Sequence, residues 1–273
     1  MGGAACRSHV CPTISTYEID NFTDPWTKPE TVVFHHGNCK GSHFWYRWVP
    51  IIARHYNVVR LDARGYGKST VPAAGYKWSL QGFARDLEEL LDHLRLDKVH
   101  LVGETVGGTI SMLFASGHPA RVRSLTVCSS PFRFTDPYYL DSARKAEKEG
   151  VLAWARDSMK RRLDPARVGP EFVAWYANEM AKTPVRVVVD THDALVGNDL
   201  SDVLRAIRVP TLLLSAESRP GYTEGYVREM ERLIPGSKLV IFPGTFGFVH
   251  HSEPEKCAHA VLDFWRGIDP HGS

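Results

Sequence analysis

The chain of 273 residues carries 33 lysine and arginine residues against 31 aspartate and glutamate residues, and this net charge of +2 argues against nucleic acid as its main partner. A hydrophobic content of 43% excludes a disordered chain, and no apolar run approaches the ~20 residues of a membrane span. The N-terminus lacks an apolar signal segment and the five cysteines are odd in number, so we expect reduced thiols and a cytoplasmic protein.

Short apolar runs rich in β-branched residues alternate along the chain with amphipathic stretches. Runs that are apolar on both faces predict parallel strands buried between layers of helices. A helix is predicted after Ser79, whose hydroxyl suits an N-cap. The alternation predicts an α/β fold with a mainly parallel sheet and flanking helices, preceded by a loose tail over residues 1–12. The predicted strands cover residues 30–36, 56–62, 98–103, 124–129, 210–216 and 237–242.

The alternation stops between residues 131 and 207, where only helical patterns occur. This region begins just past the carboxyl end of a strand, where open α/β sheets bind ligands. We therefore predict a helical lid over residues 131–207, on a core formed by residues 1–130 and 208–273. Helices are predicted over residues 138–149, 151–163, 169–182 and 184–195. Aromatic side chains of the lid are expected to line an apolar substrate pocket, namely Phe132, Tyr138, Trp154 and Trp175.

The strongest local motif is HLVGETVGGTISML, residues 100–113. A predicted strand runs into GETVG and directly into a helix, which is the layout of a nucleophile elbow with Thr105 in place of serine. In such a turn the central hydroxyl stands above the sheet edge, and the N–H of the next residue, Val106, points at a developing oxyanion. Asn38 follows the earlier strand VVFHHG, and its N–H is the predicted second oxyanion donor.

A third motif, DARGYGKSTVP, follows the next predicted strand. The three motifs, in this order and spacing, resemble the α/β-hydrolase superfamily over residues 30–266. The DARGYGKSTVP turn, the Y-x-W-S-L start of the next helix and the length of the lid look like the enol-lactonases of the β-ketoadipate pathway. The resemblance implies an α/β-hydrolase fold and action on a small apolar ester, lactone or enol-lactone, without a cofactor.

All three triad positions of that family are replaced in this chain. Thr105 stands at the serine position, and Arg219 stands where a G-E-x-D motif places aspartate, two residues after Glu217. Gly247 stands where the family has histidine. A hydroxyl is a weak nucleophile without a base. The predicted substitute base is His250, three residues beyond the usual position.

Other polar residues near these motifs carry weaker predictions. His43, which follows the oxyanion loop, and Gly247 are predicted to line the substrate pocket. Cys39 has no visible partner that would lower its pKa, so we do not expect a cysteine nucleophile. The pairs 35–36 and 250–251 are adjacent histidines, whose side chains are expected to diverge. We therefore predict no metal site.

Three functions remain open from the sequence. The first is a hydrolase in which Thr105 attacks, His250 is the base, and the N–H groups of Asn38 and Val106 hold the oxyanion. The second is a lyase, dehydratase or cyclase that keeps the pocket and the oxyanion hole without acyl-enzyme chemistry. The third is a protein that binds a small apolar molecule without turnover, and the fold does not choose among them. The chain is expected to be a monomer or homodimer.

Overall fold

A computed structural model describes residues 7–10, 16–135, 138–218, 220 and 223–268. Eight strands of the described chain form a single sheet in the order β1-β2-β4-β3-β5-β6-β7-β8. The pairs from β4 to β8 are parallel, whereas β1 and β2 pair antiparallel at one edge. The strands are β1 Arg7–Val10, β2 Thr16–Asp20, β3 Thr31–His35, β4 Asn57–Asp62, β5 Val99–Glu104, β6 Val122–Cys128, β7 Thr211–Ser218 and β8 Lys238–Phe246.

All six predicted strands are present, and they form the parallel part of the sheet. The prediction of a loose tail over residues 1–12 is wrong for residues 7–10, because β1 pairs with β2. Neither of these edge strands has the continuous apolar run by which buried parallel strands are recognised.

The sheet is buried on both faces, as a parallel sheet between helices requires. Successive side chains of β5 belong to different hydrophobic clusters: Leu101 packs with one, and Val102 packs with the other. This alternation follows from the two-residue period of a strand. The sheet is therefore buried between two hydrophobic clusters, and its loops at the carboxyl edge carry the candidate site.

Helices cover the sheet and connect its parallel strands. The Ser79 hydroxyl accepts a hydrogen bond from the Gly82 N–H at 3.0 Å, which confirms the predicted N-cap. The helices are α1 Val49–Ile52, α2 Leu80–His93, α3 Val106–Gly117, α4 Tyr138–Glu149, α5 Val151–Arg162, α6 Pro165–Val168, α7 Pro170–Met180, α8 Val185–Leu195, α9 Ser201–Ala206, α10 Glu224–Leu233, α11 Val249–Ser252 and α12 Pro254–Ile268. None of the helices over the described residues has the length and apolar character needed to cross a bilayer.

Residues 131–207, here called the helical insertion, contain α4 to α9 between β6 and β7. The four predicted helices are present. The insertion contacts the loops at the carboxyl edge of the sheet. The Tyr66 hydroxyl, in the loop after β4, donates a hydrogen bond to the Thr191 hydroxyl of the insertion at 2.9 Å. After β8, the Phe248 N–H donates to the Arg162 carbonyl oxygen at 2.7 Å. That the insertion acts as a lid domain stays a prediction.

Candidate active site

Thr105 connects β5 directly to α3 and has a positive φ of 49° with a ψ of −123°. Such a backbone is strained for a β-branched residue and persists only where neighbouring structure holds it. One restraint is the hydrogen bond from the Thr105 N–H to the Cys128 carbonyl oxygen of β6, at 3.0 Å. This is the strand–turn–helix geometry that the GETVG motif predicts.

The Thr105 side chain packs against the backbone of the loop after β3. A Cβ on Gly37 would lie 1.7 Å from the Thr105 Oγ1, so only glycine leaves room for the hydroxyl. Asn38 follows Gly37 and Val106 follows Thr105, so the two predicted oxyanion donors are chain neighbours of this contact. The Asn38 Oδ1 accepts a hydrogen bond from the Tyr66 hydroxyl at 3.3 Å.

No imidazole is hydrogen-bonded to the Thr105 hydroxyl, which makes no hydrogen bond to any residue that the structure describes. The Nε2 atom of His250 instead lies 2.6 Å from the Glu104 Oε2, and the His250 side chain is fully buried. The contact that a general base at Thr105 requires is therefore not formed. Arg219 lies outside the described residues, and Glu217 accepts a hydrogen bond from the Gly244 N–H.

The position where the family has its histidine is closed by the helical insertion. Gly247 has a φ of +73°, and a Cβ there would lie 2.2 Å from the Arg162 carbonyl oxygen at the end of α5. No side chain fits at position 247 without moving backbone. That Gly247 lines the substrate pocket stays a prediction, and the direction a Cβ would take from it is occupied by the insertion backbone.

Below the elbow lies a buried cluster of charged and polar side chains centred on Glu104. The Lys40 ammonium contacts the Glu104 Oε2, and neither side chain is exposed. The Nε2 of His251 lies 3.0 Å from the same oxygen. The expectation that the adjacent imidazoles of 250 and 251 diverge is therefore wrong, because the short helix α11 turns both toward one carboxylate.

The electrostatics of the cluster favour one ion pair and a neutral His251. Burial by itself would raise the pKa of Glu104, but the Lys40 ammonium and the two imidazoles outweigh it and hold that pKa well below its usual range. Burial lowers the pKa of His251 to about 3, although Glu104 opposes this shift. Glu104 and Lys40 together are electrically neutral, as a buried pair must be.

Glu104, His250 and His251 are also the described residues best placed to hold a metal ion. Their ligand atoms lie within 4.8 Å of one another. The Lys40 ammonium, however, contacts the same carboxylate oxygen and lies 3.3 Å from the His251 Nε2. A divalent cation there would meet that positive charge, so we assign no metal to the cluster.

His43 lines a pocket of about 500 Å³ between the loops after β3 and β4 and the insertion. Its Nε2 lies 3.1 Å from the Glu179 Oε2 of α7, and burial lowers the pKa of His43, although Glu179 opposes this. The walls of this pocket include the charged residues Asp62 and Lys182. The predicted place of His43 beside a pocket is compatible with this geometry.

The aromatic side chains of the insertion pack against other rings. Phe132 is fully buried with its ring centroid 4.7 Å from that of Tyr226. Trp154 is also buried, and its Nε1–H donates to the Ser142 hydroxyl at 2.6 Å. Trp175 packs on Phe44 at 4.9 Å between centroids. That these residues line a cavity with Thr105 stays a prediction, and the Tyr138 side chain lies outside the described residues.

Cys39 is buried in the loop between Asn38, the predicted oxyanion donor, and Lys40. Burial raises the pKa of its thiol to about 12, so the thiolate needed for attack is not formed at neutral pH.

Sequence reasoning missed Glu104 and Lys40, which form the ion pair at the centre of the cluster. A signal was present, because a charged residue at the end of a mostly apolar strand is almost never buried without a partner. The sequence does not say which of the many lysines is that partner, since Lys40 and Glu104 are 64 residues apart.

Comparisons with known proteins agree with the fold. A family model described as the alpha/beta hydrolase fold matches residues 30–254. A 2-hydroxy-6-oxo-2,4-heptadienoate hydrolase of Pseudomonas putida is 35% identical over 87% of this chain and 90% of its own. The 3-oxoadipate enol-lactonase 1 of Acinetobacter baylyi is 25% identical over 87% of this chain and 89% of its own. The crystal structure of an enol-lactonase from Burkholderia xenovorans superimposes with a TM-score of 0.87 at 21% identity, covering 95% of this chain and 99% of the other.

Proposed function

The chain belongs to the α/β-hydrolase family, and from that premise we propose that it hydrolyses a small enol-lactone or enol ester at Thr105. The observation that carries the proposal is the strained elbow, which holds a hydroxyl against Gly37 between two candidate oxyanion donors. Similarity to proteins named as an enol-lactonase and a 2-hydroxy-6-oxo-dienoate hydrolase supports the same substrate class.

In the proposed reaction the Thr105 Oγ1 bonds to the carbonyl carbon while the carbonyl π electrons move to oxygen. The N–H groups of Asn38 and Val106 donate to that oxyanion, and the hydroxyl proton passes to water. The intermediate expels the leaving oxygen as an enolate, which takes that proton back from water and becomes a ketone, and the protein is left as an acyl-threonine. A water molecule then cleaves the acyl group as a carboxylic acid and restores the hydroxyl.

The substrate class follows from what surrounds Thr105. The His250 and His251 imidazoles are hydrogen-bonded to Glu104, so the proposal assigns neither of them to give a proton to the departing oxygen. An alkoxide needs such a donor, whereas an enolate leaves more readily because its charge is delocalised onto carbon. An oxyanion hole and binding alone still leave ~10³–10⁴-fold acceleration over water when a triad is disabled. Enol-lactones and enol esters are therefore favoured over saturated lactones and alkyl esters.

A second candidate is supported by the closure of position 247. Because the insertion backbone fills the place of the family's histidine, acyl-enzyme turnover by the usual route is blocked. An oxyanion hole without an acting nucleophile stabilises an enolate, which is the requirement of a lyase or cyclase. In this alternative Thr105 only donates a hydrogen bond to the bound carbonyl.

A matched pair of lactones tests the proposal. α-Angelica lactone is an enol-lactone, and γ-valerolactone is its saturated counterpart. For each lactone we compare the rate of hydrolysis with the purified protein to the uncatalysed rate. We expect this ratio to be at least tenfold larger for α-angelica lactone than for γ-valerolactone. Thr105→Ala should abolish this activity and Thr105→Ser should retain it. Turnover that survives Thr105→Ala within about tenfold would favour the second candidate, since only one hydrogen bond of ~1 kcal/mol is lost.

A further inference from the structure

Glu104 touches both halves of the proposed oxyanion hole. In the chain, Glu104 directly precedes Thr105, and Val106, the first proposed oxyanion donor, follows Thr105. Through its side chain it reaches the opposite loop, where the Oε1 accepts a hydrogen bond from the Gly37 N–H at 3.4 Å and the Oε2 contacts the Lys40 ammonium. Residues 37 and 40 bracket the two residues between them, Asn38 and Cys39. One carboxylate therefore holds both ends of the loop that carries the second donor.

The loop needs such a restraint because its conformation is strained. Cys39 has a φ of +58°, in the left-handed region that non-glycine residues rarely adopt. A residue in this region persists only when the surrounding structure over-determines it. The burial of Cys39 and the anchors on either side of it supply that structure.

The carboxylate is itself fixed from the other side of the site. His250 and His251, which follow β8, approach the same Glu104 oxygen at 2.6 and 3.0 Å. The Lys40 ammonium lies 4.9 Å from the ring centroid of Phe248 and 5.4 Å from that of Tyr176, within cation–π distance of both. The segment that carries the catalytic histidine in the family is thus used here to hold Glu104.

We propose that Glu104 and Lys40 are positioning residues, whose ion pair sets the Asn38 N–H for the oxyanion. This inference rests on the proposed function, because it presumes that Asn38 and Val106 bind a developing oxyanion. Glu104 does not touch the reacting atoms in this proposal. Its effect is transmitted through the Gly37 N–H and the Lys40 ammonium.

The test uses benzeneboronic acid, which forms a tetrahedral adduct with a nucleophilic hydroxyl and places an oxygen in an oxyanion hole. Its binding to the full chain is followed through the ¹⁵N–¹H shifts of Asn38 and Val106. The informative variant is Lys40→Met/Glu104→Leu, because replacing both partners leaves no unpaired buried charge. Arg64→Met/Asp86→Leu is the matched control, since it removes another ion pair, 2.6 Å long, that involves none of residues 37–40.

We expect the Lys40→Met/Glu104→Leu variant to bind the probe at least tenfold more weakly and to lose the Asn38 shift while keeping that of Val106. The control should stay within threefold of the wild-type Kd. A variant that is folded, with a wild-type Kd and Asn38 shift, would overturn the inference. Should the double variant not fold, Glu104→Asp, which keeps the charge opposite Lys40 but shortens the side chain by one methylene, is read by the same criteria. Absence of both shifts in the wild-type protein would instead overturn the proposed function, and this inference with it.

Discussion

Substituting Gly247 by alanine tests whether the insertion closes the family's histidine position. A Cβ at 247 would lie 2.2 Å from the Arg162 oxygen and 2.6 Å from its carbonyl carbon, and both are backbone atoms that cannot rotate away. The left-handed φ of +73° costs an alanine roughly 1–2 kcal/mol. Overpacking adds ~1–3 kcal/mol, and disturbing the hydrogen bond from the Phe248 N–H to Arg162 adds ~1 kcal/mol. We expect Gly247→Ala to lower the free energy of unfolding by about 3–6 kcal/mol.

Gly236 supplies the control for strain without a clash. Its φ is +72°, and a Cβ there would meet nothing within 4 Å. Gly236→Ala should therefore cost only the roughly 1–2 kcal/mol of the left-handed backbone. Urea unfolding of the two variants beside the wild-type protein measures the difference. Equal costs at 236 and 247 would refute the claim that α5 packs on this loop.

The same geometry sets an expectation for restoring the family's residues. Installing serine at 105, aspartate at 219 and histidine at 247 together should yield no gain of esterase activity over the wild-type protein. The imidazole at 247 has no space to enter while the Arg162 backbone is in place. A clear rise in hydrolysis of p-nitrophenyl acetate by a folded triple variant would contradict the closure.

Three further predictions concern buried groups. The free energy of unfolding should fall as the pH drops below about 6.5. Burial lowers the pKa of His251 to about 3 and that of His192 to about 4, so each imidazole takes up a proton only on unfolding. Near pH 5 this uptake lowers the free energy of unfolding by about 2 kcal/mol for each histidine. Urea unfolding across that range checks this, and a flat profile would count against it. Glu104→Gln should lower stability by about 3–5 kcal/mol by leaving the Lys40 ammonium unpaired, whereas Lys40→Met/Glu104→Leu should cost far less in the same assay. Cys39 should resist iodoacetamide in the folded protein and react in urea, because burial raises the pKa of its thiol to about 12. Peptide mass spectrometry measures the labelling. Rapid labelling of the folded protein would contradict this prediction, because it would require an accessible thiolate.

Much of the fold was predictable because its signals are local. The parallel strands are continuous apolar runs, and the helices of the insertion repeat apolar residues at helical spacing. The elbow was predictable for the same reason, since GETVG lies wholly within one strand–helix junction. The edge strands were missed because their pairing is antiparallel and short.

The chemistry of the site depends on contacts between distant segments, which periodicity does not encode. Whether His250 faces Thr105 or Glu104 is decided by where α11 begins after β8. Lys40 reaches Glu104 because the loop after β3 lies beneath the elbow in the folded chain, and the sequence does not encode this contact locally. The closure at 247 depends on where α5 of the insertion ends, which the sequence places only to within a few residues.

Trapping of an acyl-threonine tests the central proposal most directly. The protein is mixed with isopropenyl acetate, an enol ester, quenched in acid during turnover and digested for peptide mass spectrometry. Attack by Thr105 predicts an acetyl group on the peptide that contains this residue, present in the wild-type and Thr105→Ser proteins and lost in Thr105→Ala. Turnover of the ester with no acetylation of Thr105, or with equal acetylation in Thr105→Ala, would contradict it.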